Sequence, residues 1–234
     1  MRNIVIASII LCIAFCSCQK INGNGELRTD TISITEKFNE VRNDTKFDVE
    51  VLFANENKVV ITGESNIIDY LSVYVKKGEL VIKKEKNKYK LRNTQPVTIT
   101  VYMKRNDYLY YDNYGAGDMT IESPLSKKIK FDNTGSGDIY AFDVEHEAVE
   151  ISNSGSGDVV ISGVTGEVKI TCSGSGDVDC YNLIAQYVEI HSSGTGRVEA
   201  YATDAFDIWQ SGSGEVYPYG TDRIRFHYEE YDDD

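Results

Sequence analysis

Four aspartates recur at nearly equal intervals and could supply oxygen ligands to calcium ions. Each closes a glycine-rich motif, and they are Asp118, Asp138, Asp158 and Asp177. Calcium takes about six to eight oxygen ligands, so stacked carboxylates could share an ion with backbone carbonyls and water. The alternative is that each carboxylate accepts hydrogen bonds from backbone N–H groups of its own turn. Because each motif offers a single carboxylate, the sequence favours turn capping and no cofactor, with calcium as the alternative.

Two other kinds of chemistry fit the motifs less well. A glycine-rich loop that cradles phosphate leads into a helix and carries a basic residue, whereas here a strand pattern and an acid follow. The histidines His146, His191 and His227 have no serine or cysteine partner suggested by a motif. Carboxylates are so abundant, with 37 in the chain, that a pair of them identifies no catalytic site. The sequence therefore predicts no enzyme, and a carbohydrate-active β-helix enzyme is the alternative.

Aromatic side chains near the motifs are the candidate ligand-binding residues. Tyr108 and Tyr110 lie in the segment "DYLYYDNYGAGD", and Trp209 precedes the sixth motif on the outward face of its strand. An aromatic ring on a flat β surface can stack on a sugar through apolar contact while its polar tip hydrogen-bonds. The alternative is that they are ordinary exposed strand residues.

Basic residues are concentrated in one segment of an otherwise acidic chain. The net charge is −13, which argues against nucleic acid as a partner. Residues 76–92, "KKGELVIKKEKNKYKLR", nevertheless hold eight basic residues against two acids. This segment could contact anionic lipid headgroups or polysaccharide, or it could protect a sheet edge.

A sixfold repeat determines the expected architecture. The motifs are "YGAGD", "TGSGD", "SGSGD", "SGSGD", "SGTGR" and "SGSGE", and their first glycines stand at positions 115, 135, 155, 174, 194 and 212. Apolar residues alternate with polar ones on both sides of each motif, which predicts strand, tight corner, strand. Glycine is expected there because a corner requires backbone conformations that a Cβ disfavours. We predict an all-β, right-handed parallel β-helix or related solenoid with about 20 residues per coil.

One set of equivalent outward-facing residues, one from each copy of the repeat, distinguishes stacked coils from hairpins. Five residues before each glycine stand, in order, Tyr110, Lys130, Glu150, Lys169, Glu189 and Asp207. Lysine alternating with glutamate places opposite charges at the spacing of adjacent strands if successive copies stack. This set therefore favours a parallel solenoid over hairpins within each copy.

The chain divides into five predicted segments. Residues 1–17 are a signal peptide, 18–30 a lipidated N-terminus and linker, 31–108 a β region, 109–222 the repeats, and 223–234 an acidic tail. The β region lacks the glycine corners, so it either continues the solenoid irregularly or caps its open end. Its segment "SNIIDYL" is the only helix candidate.

Cysteines carry two further predictions. Arg2 precedes the apolar run 4–17. The segment "FCSC", residues 15–18 at the end of that run, resembles a lipobox and predicts lipidation at Cys18; an ordinary cleaved signal is the alternative. Gln19 stands where an inner-membrane retention aspartate could be, which favours the outer membrane. Cys172 and Cys180 lie on opposite sides of one corner, so we expect two small core residues rather than a disulfide.

The order of the segments resembles a known family. "FNEVRNDTKFDVEV", "VVITGESNIIDYLSVYVKKGELVIK", "VTITVYM" and the repeated "SGSGD" corners are similar to the head GIN domain family of auto-transporter adhesins. The resemblance implies a β-helical, secreted or lipid-anchored envelope protein and brings no catalytic residues. The late corners depart from the pattern at Arg197 and Glu215.

The sequence thus predicts a non-enzymatic envelope lipoprotein for binding, adhesion or scaffolding. Its expected partners are the membrane, through the lipid anchor, and a polysaccharide or another envelope protein. A calcium-dependent adhesion module is the other alternative.

Overall fold

The computed structural model describes residues 19–86, 89–122 and 126–227. The predicted signal peptide, Cys18 and the last seven residues of the predicted tail lie outside these ranges. No helix formed by the described residues has the length and apolar character needed to cross a membrane.

The described residues form eighteen strands and one short helix. In chain order these are β1 (Gln19–Asn22), β2 (Leu27–Ser33), β3 (Glu40–Asp44), β4 (Val49–Phe53), β5 (Lys58–Glu64), α1 (Ser65–Ile68), β6 (Leu71–Lys76), β7 (Glu79–Lys84), β8 (Tyr89–Arg92), β9 (Thr98–Met103), β10 (Tyr108–Asn113), β11 (Met119–Glu122), β12 (Ser126–Asn133), β13 (Ile139–Asn153), β14 (Val159–Cys172), β15 (Val178–Ser192), β16 (Val198–Gln210), β17 (Val216–Gly220) and β18 (Ile224–His227). The helix lies in the predicted segment "SNIIDYL".

The repeats stack as a parallel solenoid, as predicted. Ile129 on β12 pairs with Val149 on β13, and Val149 pairs with Val168 on β14. Pairing therefore joins one copy to the next at intervals of about 20 residues, so the alternative of hairpins within each copy is wrong. The alternating charges meet as expected, with Lys169 Nζ 2.7 Å from Glu189 Oε1.

The described strands form one curled 16-stranded sheet and a separate pair, β1 with β8. The curled sheet has two faces, called the first and the second sheet below, and each coil contributes one strand to each. The first sheet holds the strands that precede the corners, in the order β6, β7, β3, β10, β12, the later halves of β13 to β16, and β18. The second sheet holds the strands that follow the corners, in the order β2, β5, β9, β4, β11, the earlier halves of β13 to β16, and β17. Between the sheets the apolar columns are buried, with Phe131, Ile151 and Ile170 at 0% exposure.

The corner glycines are required for a different reason from the one expected. None of them has a positive φ, since the glycines that do are Gly25, Gly78, Gly163 and Gly220. Instead, a Cβ at Gly135 would overlap the carbonyl oxygen of Gly115 in the preceding coil, and the same holds at each later corner. The corners need glycine because their backbones stack against one another.

The N-terminal β region both continues the solenoid and caps it. β3 and β4 form an additional coil that pairs in parallel with β10 and β11. Its corner, 43–48, reads "NDTKFD" where the first glycine corner reads "NYGAGD". The amide of Asn43 donates to Phe47 O at 3.1 Å, as that of Asn113 donates to Gly117 O at 3.0 Å.

The outer strands of this region change direction. β7 and β9 are still parallel to β3 and β4, whereas β6, β5 and β2 add antiparallel pairs on the outside. The N-terminal end of the stack is therefore closed by antiparallel strands.

Strands extend into two segments that were expected to be a linker and a tail. β1 and the first residues of β2 fall within 18–30, and β1 pairs in parallel with β8. β18 falls within the predicted tail 223–234 and pairs with β16. The reason is the same at both ends, since apolar residues such as Ile21 and Ile224 pack against the core.

Candidate functional site

The corner aspartates form a hydrogen-bonded ladder along the solenoid. The backbone N–H of Asp138 donates to Asp118 Oδ1 at 2.8 Å, and that of Asp158 donates to Asp138 Oδ1 at 2.8 Å. The ladder starts at Asp48 and ends at the N–H of Arg197. Each carboxylate therefore caps the following coil, so the expectation that it caps its own turn is wrong in that respect.

The ladder occupies one oxygen of each of its carboxylates. Tyr140 Oη also donates to Asp138 Oδ2 at 2.8 Å, and Arg197 Nη2 lies 3.4 Å from Asp177 Oδ2. In the part of the chain that the structure describes, three acidic side chains converge elsewhere, on the first sheet. Calcium at the corners stays the alternative to capping.

The three aromatic candidates lie on the outward face of the first sheet but not together. Tyr110 is on β10 and Trp209 on β16, five strand spacings apart, which is roughly 24 Å. Tyr108 is 59% exposed. Tyr110 Oη donates to Asp132 Oδ2 at 3.0 Å.

Both faces of Trp209 are covered by histidine rings. The His191 ring lies 4.4 Å from the Trp209 ring centroid and the His227 ring 4.0 Å, with interplanar angles of 5° and 3°. The two faces of the Trp209 ring on which a sugar would stack are therefore occupied, and only the edge of this ring is left for a ligand to contact. The sequence spacing of these residues, 18 in each case, could have revealed the stack.

A serine–histidine contact joins two coils and was missed in the sequence. Ser126 Oγ lies 2.7 Å from His146 Nδ1, and the two residues are paired across β12 and β13. His146 is buried, and burial lowers its pKa. The contact is a link between neighbouring coils 20 residues apart.

A groove of about 1080 Å³ lies beside the corners. Its floor consists of small residues from successive corners, namely Gly115, Ala116, Gly135, Ser136, Gly155 and Ser156. Leu71 and Leu91 add apolar surface. The sequence did not indicate this groove because its parts come from three distant segments.

One side of the groove is basic. Lys46, Lys84, Lys90 and Arg92 line it, and three of them belong to the basic segment 76–92. Lys46 Nζ donates to Asn93 Oδ1 at 2.7 Å, and partial burial, together with the charge of Lys90, lowers the pKa of Lys46. Among the described lining residues Asp44 is the acidic one. An anion in the groove would relieve the repulsion between these cations.

Sequence comparison assigns the chain to a family. The family model described as "Putative auto-transporter adhesin, head GIN domain" matches residues 37–221, which is more than half of the chain. The chain belongs to this family. Comparison with curated proteins finds no relative that matches.

Solved structures show the same fold as this GIN-domain chain. A structure described as a putative adhesin from Bacteroides fragilis has a TM-score of 0.74 at 22% identity, covering 88% of this chain and 100% of its own. One described as a putative adhesin from Parabacteroides distasonis has a TM-score of 0.67 at 19% identity, covering 89% and 96%. Another from Parabacteroides distasonis, described as a putative lipid binding protein, has a TM-score of 0.63 at 21% identity, covering 90% and 100%.

The basic side of the groove in this GIN-domain chain is joined to its N-terminal strand. Lys90 and Arg92 on β8 pair with Lys20 and Asn22 on β1, which begins one residue after Cys18. The buried carboxylate of Glu64 holds the turn between β1 and β2 in place. The wall of the groove is thus paired with the strand whose sequence directly follows the predicted lipidation site.

Glu64 makes several short hydrogen bonds in this position. It accepts from the backbone N–H groups of Gly25 and Thr94 at 2.8 and 2.7 Å and from Thr94 Oγ1 at 2.7 Å. The side-chain bond from Thr94, helped by the backbone donors, lowers the pKa of Glu64 to about 2. A carboxylate with these donors is charged at neutral pH and fastens the β1–β2 turn to residues 94–95.

Cys172 and Cys180 are free and buried. Burial raises the pKa of both thiols. They fill small positions in the core, as the sequence analysis predicts.

Proposed function

We propose that this chain is a non-enzymatic, adhesion-like envelope protein, lipidated at Cys18 on the outer membrane, whose basic groove binds the anionic headgroup of a membrane lipid. The observation that carries the proposal is the basic wall of the groove in a chain of net charge −13. The description of the family as adhesins supports an adhesion-like role. The description of one structure with the same fold as a lipid binding protein supports a lipid as the ligand.

The charges of the groove favour a phosphate-bearing ligand. Lys46, Lys90 and Arg92 offer several N–H donors around one concavity. Arginine and lysine bind phosphate oxygens through charge-assisted hydrogen bonds, which are about twice as strong as neutral ones. Leu71 and Leu91 supply apolar contact for the first carbons of an acyl chain.

The position of the groove favours a lipid over a soluble anion. The wall strand β8 is hydrogen-bonded to β1, and β1 starts immediately after Cys18. An acyl chain on Cys18 would therefore hold this end of the protein at the headgroup level of the bilayer. Basic residues close to an anionic leaflet each contribute about 1 kcal/mol.

A vesicle experiment tests the proposal. The chain 19–234 is sedimented with phosphatidylglycerol vesicles and with phosphatidylcholine vesicles. We expect binding to the anionic vesicles, weakened by salt and lost in Lys90→Ala/Arg92→Ala. The matched control is Lys127→Ala/Lys169→Ala, which removes the same charge from the coils. Equal binding by the two double variants, or binding only to an acidic polysaccharide, contradicts a headgroup site.

Exposure favours Tyr108 for a second, polysaccharide-binding role. Its side chain is 59% exposed on the outward face of the first sheet. Tyr110 and Trp209 are engaged by Asp132 and by the two histidines, so we expect Tyr108→Ala to weaken binding on a glycan array more than Trp209→Ala does.

A further inference from the structure

Three carboxylates converge on the outward face of the first sheet, and they are distinct from the residues that line the groove and from those of the corner ladder. They belong to Glu79 on β7, Glu40 on β3 and Asp112 on β10, three adjacent strands. One oxygen from each lies within 4.8 Å of the others. Two oxygens bound to one calcium ion at about 2.4 Å can be no more than about 4.8 Å apart, so the three could share one ion.

The buried member of the cluster has an oxygen without a partner. Asp112 is 4% exposed, and its Oδ1 receives no hydrogen bond from any described residue. A buried carboxylate oxygen without a donor or a cation carries an uncompensated desolvation cost. This unpartnered oxygen is a second observation beside the closeness of the three acids, and a bound cation would satisfy it.

Arg42 forms two long ion pairs with the cluster but no hydrogen bond to the unpartnered oxygen of Asp112. Its Nη1 lies 3.7 Å from Glu79 Oε1 and 4.0 Å from Asp112 Oδ2, both longer than a hydrogen bond. Its guanidinium rests instead on the ring of Tyr114, 3.6 Å from the centroid. The hydrogen-bonding capacity of the three carboxyls is therefore not taken up by Arg42.

Two further oxygen-bearing side chains on neighbouring strands, those of Asp132 and Tyr110, lie beside the cluster. Asp132 on β12 pairs with Asp112, and Tyr110 pairs with Glu40. Asp132 is already contacted by Tyr110 Oη at 3.0 Å and by Lys130 Nζ at 3.9 Å. The cation would therefore take its protein ligands from Glu40, Glu79 and Asp112 and complete its coordination with water.

We propose that Glu40, Glu79 and Asp112 form a calcium-binding site that joins β7, β3 and β10. All-oxygen carboxylate ligands suit a hard cation, and calcium accepts the irregular geometry that three strands impose. The site fastens the N-terminal strands β7 and β3 to the first glycine-corner coil. It does not depend on the lipid-binding role of the groove.

Terbium luminescence tests the site directly. Terbium replaces calcium, and its emission is excited through a nearby tyrosine, which Tyr110 provides. With the purified full chain in detergent, we expect saturable terbium emission that calcium displaces. Asp112→Asn and Glu79→Gln should each weaken calcium binding at least about tenfold, because each removes one of three charged ligands.

Two comparisons make the result decisive. Asp158→Asn, in the corner ladder, should bind calcium as the unaltered chain does. Glu79 is more exposed than Asp112, so Glu79→Gln should keep the circular dichroism of the unaltered chain even if Asp112→Asn does not. Absence of calcium-displaceable emission overturns the site, as does unchanged affinity in Glu79→Gln. Loss of calcium affinity only in Asp158→Asn also overturns the proposed site, because it would show that calcium binds at the corner aspartates.

Discussion

The backbone N–H of Asp138 donates a 2.8 Å hydrogen bond to Oδ1 of Asp118, a residue in the preceding coil. The same bond recurs at the next corners, so a row of carboxylates links coil to coil beside the backbone pairing of the two sheets. The motif thus specifies stacking as well as turning.

Removing one carboxylate from the ladder should weaken the solenoid. In Asp158→Ala the N–H of Asp177 loses its 2.8 Å acceptor, and we expect the free energy of unfolding to fall by about 1–2 kcal/mol. Asp158→Asn keeps an acceptor oxygen and should cost less. Urea unfolding followed by circular dichroism measures both, and equal stability of Asp158→Ala and the unaltered chain would contradict the ladder.

A methyl group at a corner glycine should be more damaging. The Cβ of Gly155→Ala would overlap the carbonyl oxygen of Gly135, so the coils must separate, and we expect a loss of about 3 kcal/mol. Ser156→Ala, at the exposed residue next to it, should change stability by less than about 0.5 kcal/mol. Thermal unfolding of the two variants side by side checks this, and similar midpoints would refute close stacking.

The low pKa of Glu64 predicts a pH-dependent contribution to stability. Because the folded pKa, about 2, lies below the ordinary value of 4.5, the contribution is fully present above about pH 4.5 and is lost as the pH falls toward 2. Glu64→Gln should therefore be less stable than the unaltered chain at pH 7, and the difference should shrink between pH 4.5 and 2. Denaturant unfolding at pH 7, 4.5 and 2.5 measures the difference, and a constant gap would show that charge is not the cause.

Lipidation at Cys18 is a prediction that fractionation can test. Cys18→Ser should move the protein out of the outer-membrane fraction, and mass spectrometry of the unaltered protein should find Cys18 as an acylated N-terminus. An unmodified N-terminus at another residue would favour an ordinary cleaved signal.

The regular part of the fold could be predicted because equivalent positions in successive coils lie in the same environment. Positions such as Ile129, Val149 and Val168 are apolar because they stack between the same two sheets. A repeated spacing therefore indicates the contact partner as well as the strand. The first corner escaped notice because Thr45 and Phe47 stand there in place of glycines.

The sequence by itself determined the coil length and the inward columns, because these repeat and every copy reports the same packing. It favoured parallel stacking, which the strand pairing then established. Only the tertiary structure decided the groove and the carboxylate cluster, since their residues occur once and come from separate segments. Lys46 and Lys90, or Glu79 and Asp112, share no spacing that a pattern could reveal. They become neighbours because the irregular N-terminal strands pair with the first regular coil.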